Sequence, residues 1–211
     1  MLHSLKENAD SPGRPPVLEI GNPPVALLRT VATRPGKLRP DDVRCLTEWR
    51  NRYVRSFLTE FVATEERTAR WLTSVVGPSS DRILFMLDRP DGQTFGYMGL
   101  AFIDWERGYG EADAIVKGGD SPPGTMTHAL LSLLDWAKNK LGLNQIGVRV
   151  RSDNPALLFY QRCGFVEQHR CPLGRHTIDL ETVWREEPTA GTDAPALVHM
   201  LWTGRPTSLI Q

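Results

Sequence analysis

The chain has 211 residues with 25 Lys+Arg against 25 Asp+Glu, so no global field draws it to nucleic acid, acidic lipid or another polyanion. That length holds one α/β domain with a sizeable core and not two comfortable ones. Three cysteines, Cys45, Cys163 and Cys171, form no CxxC pair and leave one over, which speaks against a disulfide framework and for reduced thiols in a cytoplasmic protein.

No apolar run approaches the roughly 20 residues of a spanning helix, and the start lacks the apolar core of a secretion signal, so no membrane is expected. Residues 1–24 are polar and punctuated by Pro12, Pro15, Pro16, Pro23 and Pro24. With little apolar surface to offset ordering entropy, they are expected to form a flexible or loosely docked arm, followed by a single domain over 25–211. Val25 to Thr33 reads as a first strand. Pro40, Asp41 and Asp42 then open a helix through Tyr53 with Val43, Leu46, Trp49 and Tyr53 as its apolar stripe. After a loop rich in bulky side chains, RSFLTEFVA, Thr64 and Glu66 start a second helix that buries Trp71, Leu72 and Val75.

From Arg82 the pattern changes to strands, RILFMLD, TFGYMGLAFIDW and YGEADAIVK, which read as an antiparallel meander with a turn at Pro90-Asp91-Gly92. A helix is predicted from Thr127 to Leu141, with Leu130, Leu131, Leu134 and Ala137 on one face and Gly142 as its stop. The strand IGVRVRS follows, then a short helix, then the β-rich segments FVEQHR, HTIDLETVW and ALVHMLW.

The short helix is the most telling element. In Ser152 to Phe165, SDNPALLFYQRCGF, Asn154 and Pro155 read as N-cap and first helical residue, Ala156, Phe159, Tyr160 and Cys163 recur at helical spacing, and Gly164 ends the helix. This segment resembles the end of the GNAT fold, that of the acyl-coenzyme A dependent N-acetyltransferases, and the order of elements from Val25 to Trp202 is similar to that family's. The resemblance implies an α/β GNAT fold, a mixed and mostly antiparallel central sheet flanked by helices. LTEWRN at Leu46 to Asn51, VRSFLTE and TEERTARWL resemble the branches that acetylate amino groups of nucleotide-linked deoxysugars or protein N-termini.

The resemblance also implies a division of labour among residues. Ile115, Val116 and Lys117 on the fourth strand are implied to pair with the donor's pantetheine arm, as an extra strand would. The loop and helix start after that strand, with Gly124, Thr125, Met126 and Thr127, are implied to cradle the pyrophosphate on backbone amides. The family's pattern is met only by Gly124. Ser121 and Met126 depart from it, and Pro122 and Pro123 each lack an amide donor. That thin loop leaves a second donor open, a phosphopantetheine thioester on an acyl carrier protein.

Glu111 and Asp113 alternate with Ala112 and Ala114, so they share a strand face and are candidates for deprotonating the amine, with Asp104 and Glu106 as the fallback pair. Tyr160, with a reference pKa of about 10 against about 8.5 for a thiol, is the candidate proton donor to the leaving thiolate. Asn154 is implied to bond the pantetheine arm. Arg149, Arg151 and Arg162 read mainly as solvated charge. The histidines have no metal-like spacing, so no metal is expected. The sequence thus reads as an N-acyltransferase, most simply one that moves acetyl from acetyl-coenzyme A to a primary amine of a small molecule such as an amino sugar or specialised metabolite. Its rivals are the carrier-protein donor and a non-catalytic GNAT-fold binding module. A homodimer is left open.

Overall fold

The computed structural model describes residues 1–9, 18–191 and 193–204. In chain order its elements are α1 (Leu2–Glu7), β1 (Leu18–Ile20), β2 (Ala26–Thr30), α2 (Pro40–Arg52), β3 (Thr59–Glu60), α3 (Glu65–Trp71), β4 (Ile83–Asp88) and β5 (Thr94–Asp104). β6 (Tyr109–Lys117), α4 (Thr125–Trp136), β7 (Gln145–Arg151), α5 (Ala156–Arg162), β8 (Phe165–Ile178), β9 (Glu181–Glu186) and β10 (Ala196–Trp202) complete the α/β chain. By contact it falls into two compact units, Met1–Trp49 with Thr64–Ile146, and Arg50–Ala63 with Gly147–Gln211.

In the first unit, β1, β2, β4, β5 and β6 pair in that order, each antiparallel to its neighbour. The apolar run ILFMLD is buried at every position, as a central strand covered on both faces requires. Leu130, Leu133, Leu134 and Ala137 of α4 and the turn after it are fully buried, each leucine contributing about 1.5–3 kcal/mol. That helix starts at Thr125, two residues earlier than predicted, because Thr125 is drawn in: its hydroxyl donates to the Pro122 carbonyl at 2.8 Å. It stops at Gly142, whose φ of 75° is one that a side chain resists.

The flexible arm expected over 1–24 does not describe its two ends. Leu2–Glu7 is helical, with Leu2 buried and the Lys6 ammonium donating to the carbonyls of Val76 at 2.7 Å and Gly77 at 3.4 Å. Leu18–Ile20 is a strand with Ile20 in the core. Two apolar side chains and one satisfied ammonium outweigh a polar average. Pro12, Pro15 and Pro16 lie outside the described residues.

α2 begins as predicted, and its Asp42 meets Arg29 of β2: Nη1 and Nη2 donate to the carboxylate at 2.9 and 3.0 Å, while Nε donates to Asp88 of β4 at 2.7 Å. Burial works against this guanidinium's charge, but the hydrogen bonds to Asp42 and Asp88 outweigh it and raise its pKa. Tyr53 falls beyond the helix and is exposed, whereas Val43, Leu46 and Trp49 are buried. Trp49 stacks on Tyr97, ring centroids 6.2 Å apart, and its indole lies against the backbone of Gly118, where a Cβ would come within 1.9 Å of the ring. In α3 the last turn widens, with the Gly77 amide bonding the Leu72 carbonyl at 2.8 Å. The extra residue in that turn buries Val76 and exposes the expected Val75.

In the second unit, β7, β10, β8, β9 and β3 pair in that order, again all antiparallel. β8 and β9 join through Asp179 and Leu180, both at positive φ (48° and 69°), in a two-residue hairpin that usually selects Asn-Gly. The bulky segment after α2 is held by its own side chains. The Arg50 guanidinium lies 3.7 Å over the Phe57 ring and 4.5 Å over Phe61, and the Asn51 amide clamps both backbone groups of Ala63 at 2.7 and 2.9 Å.

Candidate active site

On β6, Glu111 is buried and accepts a hydrogen bond from the Tyr109 hydroxyl at 2.9 Å; Asp113 on the same face is half-buried. The predicted alternation ends there. Tyr97 pairs with Val116 but Gly99 with Asp113, so β6 carries one residue more than β5, and Ala114 takes a φ of 51°. This bulge re-aims the strand, and Ala114 does not continue the face that Ala112 begins. Beyond it Ile115 is half-buried, Val116 buried and Lys117 exposed. Nothing in the sequence announces the bulge, because alanine has no preference for left-handed backbone.

The loop after β6 turns at Gly124, φ 81°, with no atom within 4 Å of where its Cβ would stand. The Thr125 amide bonds the Pro122 carbonyl at 3.2 Å and the His128 amide bonds the Gly124 carbonyl at 3.0 Å. Met126 and Thr127 are first-turn residues, whose amides point out of the helix start as at any such end. Ser121 places its hydroxyl oxygen out of solvent without a hydrogen-bond partner. Two amides, a glycine turn and one hydroxyl form the anion cradle this loop can offer.

In the second unit the predicted cap is present. Asn154 Oδ1 accepts from the Ala156 amide at 2.9 Å, its Nδ2 donates to the Ser56 carbonyl at 3.3 Å, and Pro155 is already helical at φ −55° and ψ −20°. Gly164 ends the helix at φ 89°. Tyr160 is the buried residue of α5, its ring edge-on to Phe165 at 5.8 Å and tilted against Phe159 at 5.5 Å. Packing therefore fixes its ring.

The start of the same helix borders an open cleft of ≈ 530 Å³ that also takes in Arg55, Glu60, Arg151, Asp153, Arg175 and Trp184. Arg151, expected to face water, is buried at its floor and donates to Asp153 at 2.9 and 2.7 Å and to Glu60 at 3.4 Å. The hydrogen bond from Arg151 holds the Asp153 carboxyl below the usual range, and the same bond raises Arg151. The guanidinium lies 4.3 Å from the Trp184 ring centroid, and the indole N–H donates to Glu60 at 2.7 Å. Sequence reasoning missed this cleft, because its lining comes from four strands, β3, β7, β8 and β9, and from the segments before β3 and α5, and carries no motif.

A model of the acetyltransferase (GNAT) domain matches residues 36–166. The chain belongs to the GNAT acetyltransferase family. The matched stretch takes in Glu111, Asp113, Gly124, Asn154 and Tyr160 but stops short of Arg175 and Trp184. No curated protein sequence matches the chain. Among solved structures, spermidine N-acetyltransferase from Vibrio cholerae in complex with CoA and spermine is 17% identical with a TM-score of 0.63, covering 83% of this chain and 94% of that one. A dodecameric structure of the Vibrio cholerae enzyme is 18% identical at a TM-score of 0.60, covering 83% and 92%. At such identity these likenesses establish the shared fold.

Of the fallback pair, Asp104 is engaged locally. Asp104 accepts from the amides of Glu106 at 3.1 Å and Arg107 at 3.0 Å, closing the turn between β5 and β6. Histidines without metal-like spacing do meet in space: His169 and His199 stack at 4.1 Å, and His199 Nε2 lies 2.7 Å from Glu186. With Glu186 the two imidazoles bring three ligand-type atoms within 4.8 Å of one another, close enough to hold a metal ion, at a spacing the sequence does not announce. Among the described residues no helix is long and apolar enough to cross a membrane.

Proposed function

We propose that the protein, through residues 25–211, moves an acetyl group from acetyl-coenzyme A to a primary amine of a small molecule. The observation that carries this reading is the family match over 36–166, within which the candidate donor and catalytic residues fall. The relative described with CoA supports coenzyme A as donor, and no relative favours a carrier protein. The Gly124 turn and the Met126 and Thr127 amides fit a pyrophosphate, with Ser121 alongside, while Ile115, Val116 and Lys117 are re-aimed by the bulge before them. Asn154 spends its side chain on the Ala156 amide and the Ser56 carbonyl, so its role toward the donor is to fix the helix start.

Bound donor supplies a thioester carbonyl. The substrate amine forms the C–N bond as the C–S bond breaks. A carboxylate, Glu111 or the more open Asp113, takes the amine's proton, directly or through water. Tyr160 hands its own proton to the leaving sulfur and regains one from solvent, which balances the transfer. Tyr, with a reference pKa of about 10, keeps its proton at neutral pH, so it can hydrogen-bond the departing thiolate and pass that proton on as the C–S bond breaks. The dodecameric relative favours self-association, of which a homodimer was left open above.

Thiol release from acetyl-coenzyme A with a panel of primary amines tests the reading. Tyr160→Phe is expected to lower kcat about 10²-fold or more while donor affinity holds. Unchanged turnover removes Tyr160 from the mechanism, and silence with every amine returns the chain to a binding module.

A further inference from the structure

We infer that the cleft at the start of α5 receives the anionic end of the acceptor, a carboxylate or a phosphate, on Arg55 and Arg175; this rests on the acyltransferase reading above. The lining holds three guanidinium groups, Arg55, Arg151 and Arg175, against two carboxylates, Glu60 and Asp153. Both carboxylates are already engaged. Asp153 takes two hydrogen bonds from Arg151, and Glu60 takes one from Arg151 and one from the Trp184 indole. Arg151 is buried and turned to these partners, so it belongs to the floor.

Two exposed guanidiniums remain on the rim. Among the described residues Arg55 has no ion pair or hydrogen bond recorded, and Arg175 has a single long one, 3.4 Å to the Thr182 hydroxyl. A guanidinium presents a planar fork that matches the two oxygens of a carboxylate or phosphate, and an ionised partner makes such bonds the stronger kind. A polycation meets the opposite situation here: it adds positive charge to a lining that already sets three guanidiniums against two hydrogen-bonded carboxylates. The charge of this cleft therefore favours an anion over a polyamine. The link to chemistry is local, since Asn154 and Pro155 both line the cleft and begin the helix that carries Tyr160.

The test uses the full chain, acetyl-coenzyme A and four acceptors: a hexosamine, the same hexosamine bearing a phosphate, an amine bearing a carboxylate, and spermidine. Whichever anionic amine is better distinguishes phosphate from carboxylate as the natural group. The expected result is an anionic amine favoured over the neutral hexosamine by about tenfold or more in kcat/KM, with that preference carried by KM. R55Q/R175Q is expected to erase the preference, and R55K/R175K to restore part of it. Spermidine or the neutral hexosamine as best acceptor overturns the inference while leaving the acyltransferase reading intact. Binding of the hexosamine phosphate without donor, followed by calorimetry, separates the two in the other direction. Binding that weakens about tenfold in R55Q/R175Q supports the cleft assignment even if no amine is acetylated, and binding equal in both proteins overturns it.

Discussion

Two arginines in this molecule each bridge two carboxylates, and their surroundings make them different devices. Arg29 joins Asp42 at the start of α2 to Asp88 on β4, with the Thr94 hydroxyl adding a bond to Asp88 at 2.7 Å, so both carboxylates are hydrogen-bonded within the first unit. Arg151 joins Asp153 to Glu60 in the same one-to-two arrangement, but beside it stand Arg55 and Arg175, whose charges are not answered. The first cluster ties a helix to a sheet and is left with one net negative charge. The second, with Arg55 and Arg175 counted, carries one net positive charge at a cleft. A buried ion pair is weak evidence of stability in itself, and an imbalance beside one is better evidence of a ligand.

Removing each bridging arginine sharpens that contrast. Arg29→Met leaves two carboxylates buried without a counter-charge and is expected to cost about 3 kcal/mol in denaturant unfolding, the largest effect of this set. A loss below 1 kcal/mol would show the cluster to be hydrated. Arg151→Met is expected to cost about 1–2 kcal/mol, less because Asp153 is exposed and solvent screens it. In the same variant Glu60 and Asp153 are released from their partner, and the acceptor preference should shift away from anions in a competition assay.

The smallest effect is one of pH. Asp153 is held below its ordinary value by Arg151, so the stability it lends is full above the unfolded carboxyl pKa of about 3.9 and is lost as pH falls through the lower folded value. Wild type and Asp153→Asn should therefore differ in unfolding midpoint at neutral pH and converge in acid. A gap that widens in acid would refute the pairing.

Much of this was legible in the sequence, for reasons the elements make plain. The run ILFMLD, the spacing of Val43, Leu46 and Trp49, and the Asn-Pro to Gly interval around Tyr160 are local patterns, and local patterns survive folding. The helix at Leu2–Glu7 escaped notice because its stability comes from distant carbonyls that receive Lys6. The bulge at Ala114 and the widened turn after α3 are one-residue shifts that no residue type signals. The cleft was invisible for a third reason. Arg55, Arg151, Arg175 and Trp184 are unremarkable singly, and only the pairing of β3, β9, β8, β10 and β7 in turn gathers them. Arg151 looked solvated because a strand pattern shows which face a residue takes but not whether acids wait there.

Gly118 has a consequence for how sequences of this fold can drift. Its hydrogen atom occupies a place where a methyl group would stand 1.9 Å from the Trp49 indole, and that ring is itself pinned on Tyr97. A rigid ring cannot yield as a flexible chain would. Positions 49 and 118 are thus an ordered pair in descent: the tryptophan must shrink before the glycine is free to grow, and any lineage that takes the steps in reverse passes through a misfit.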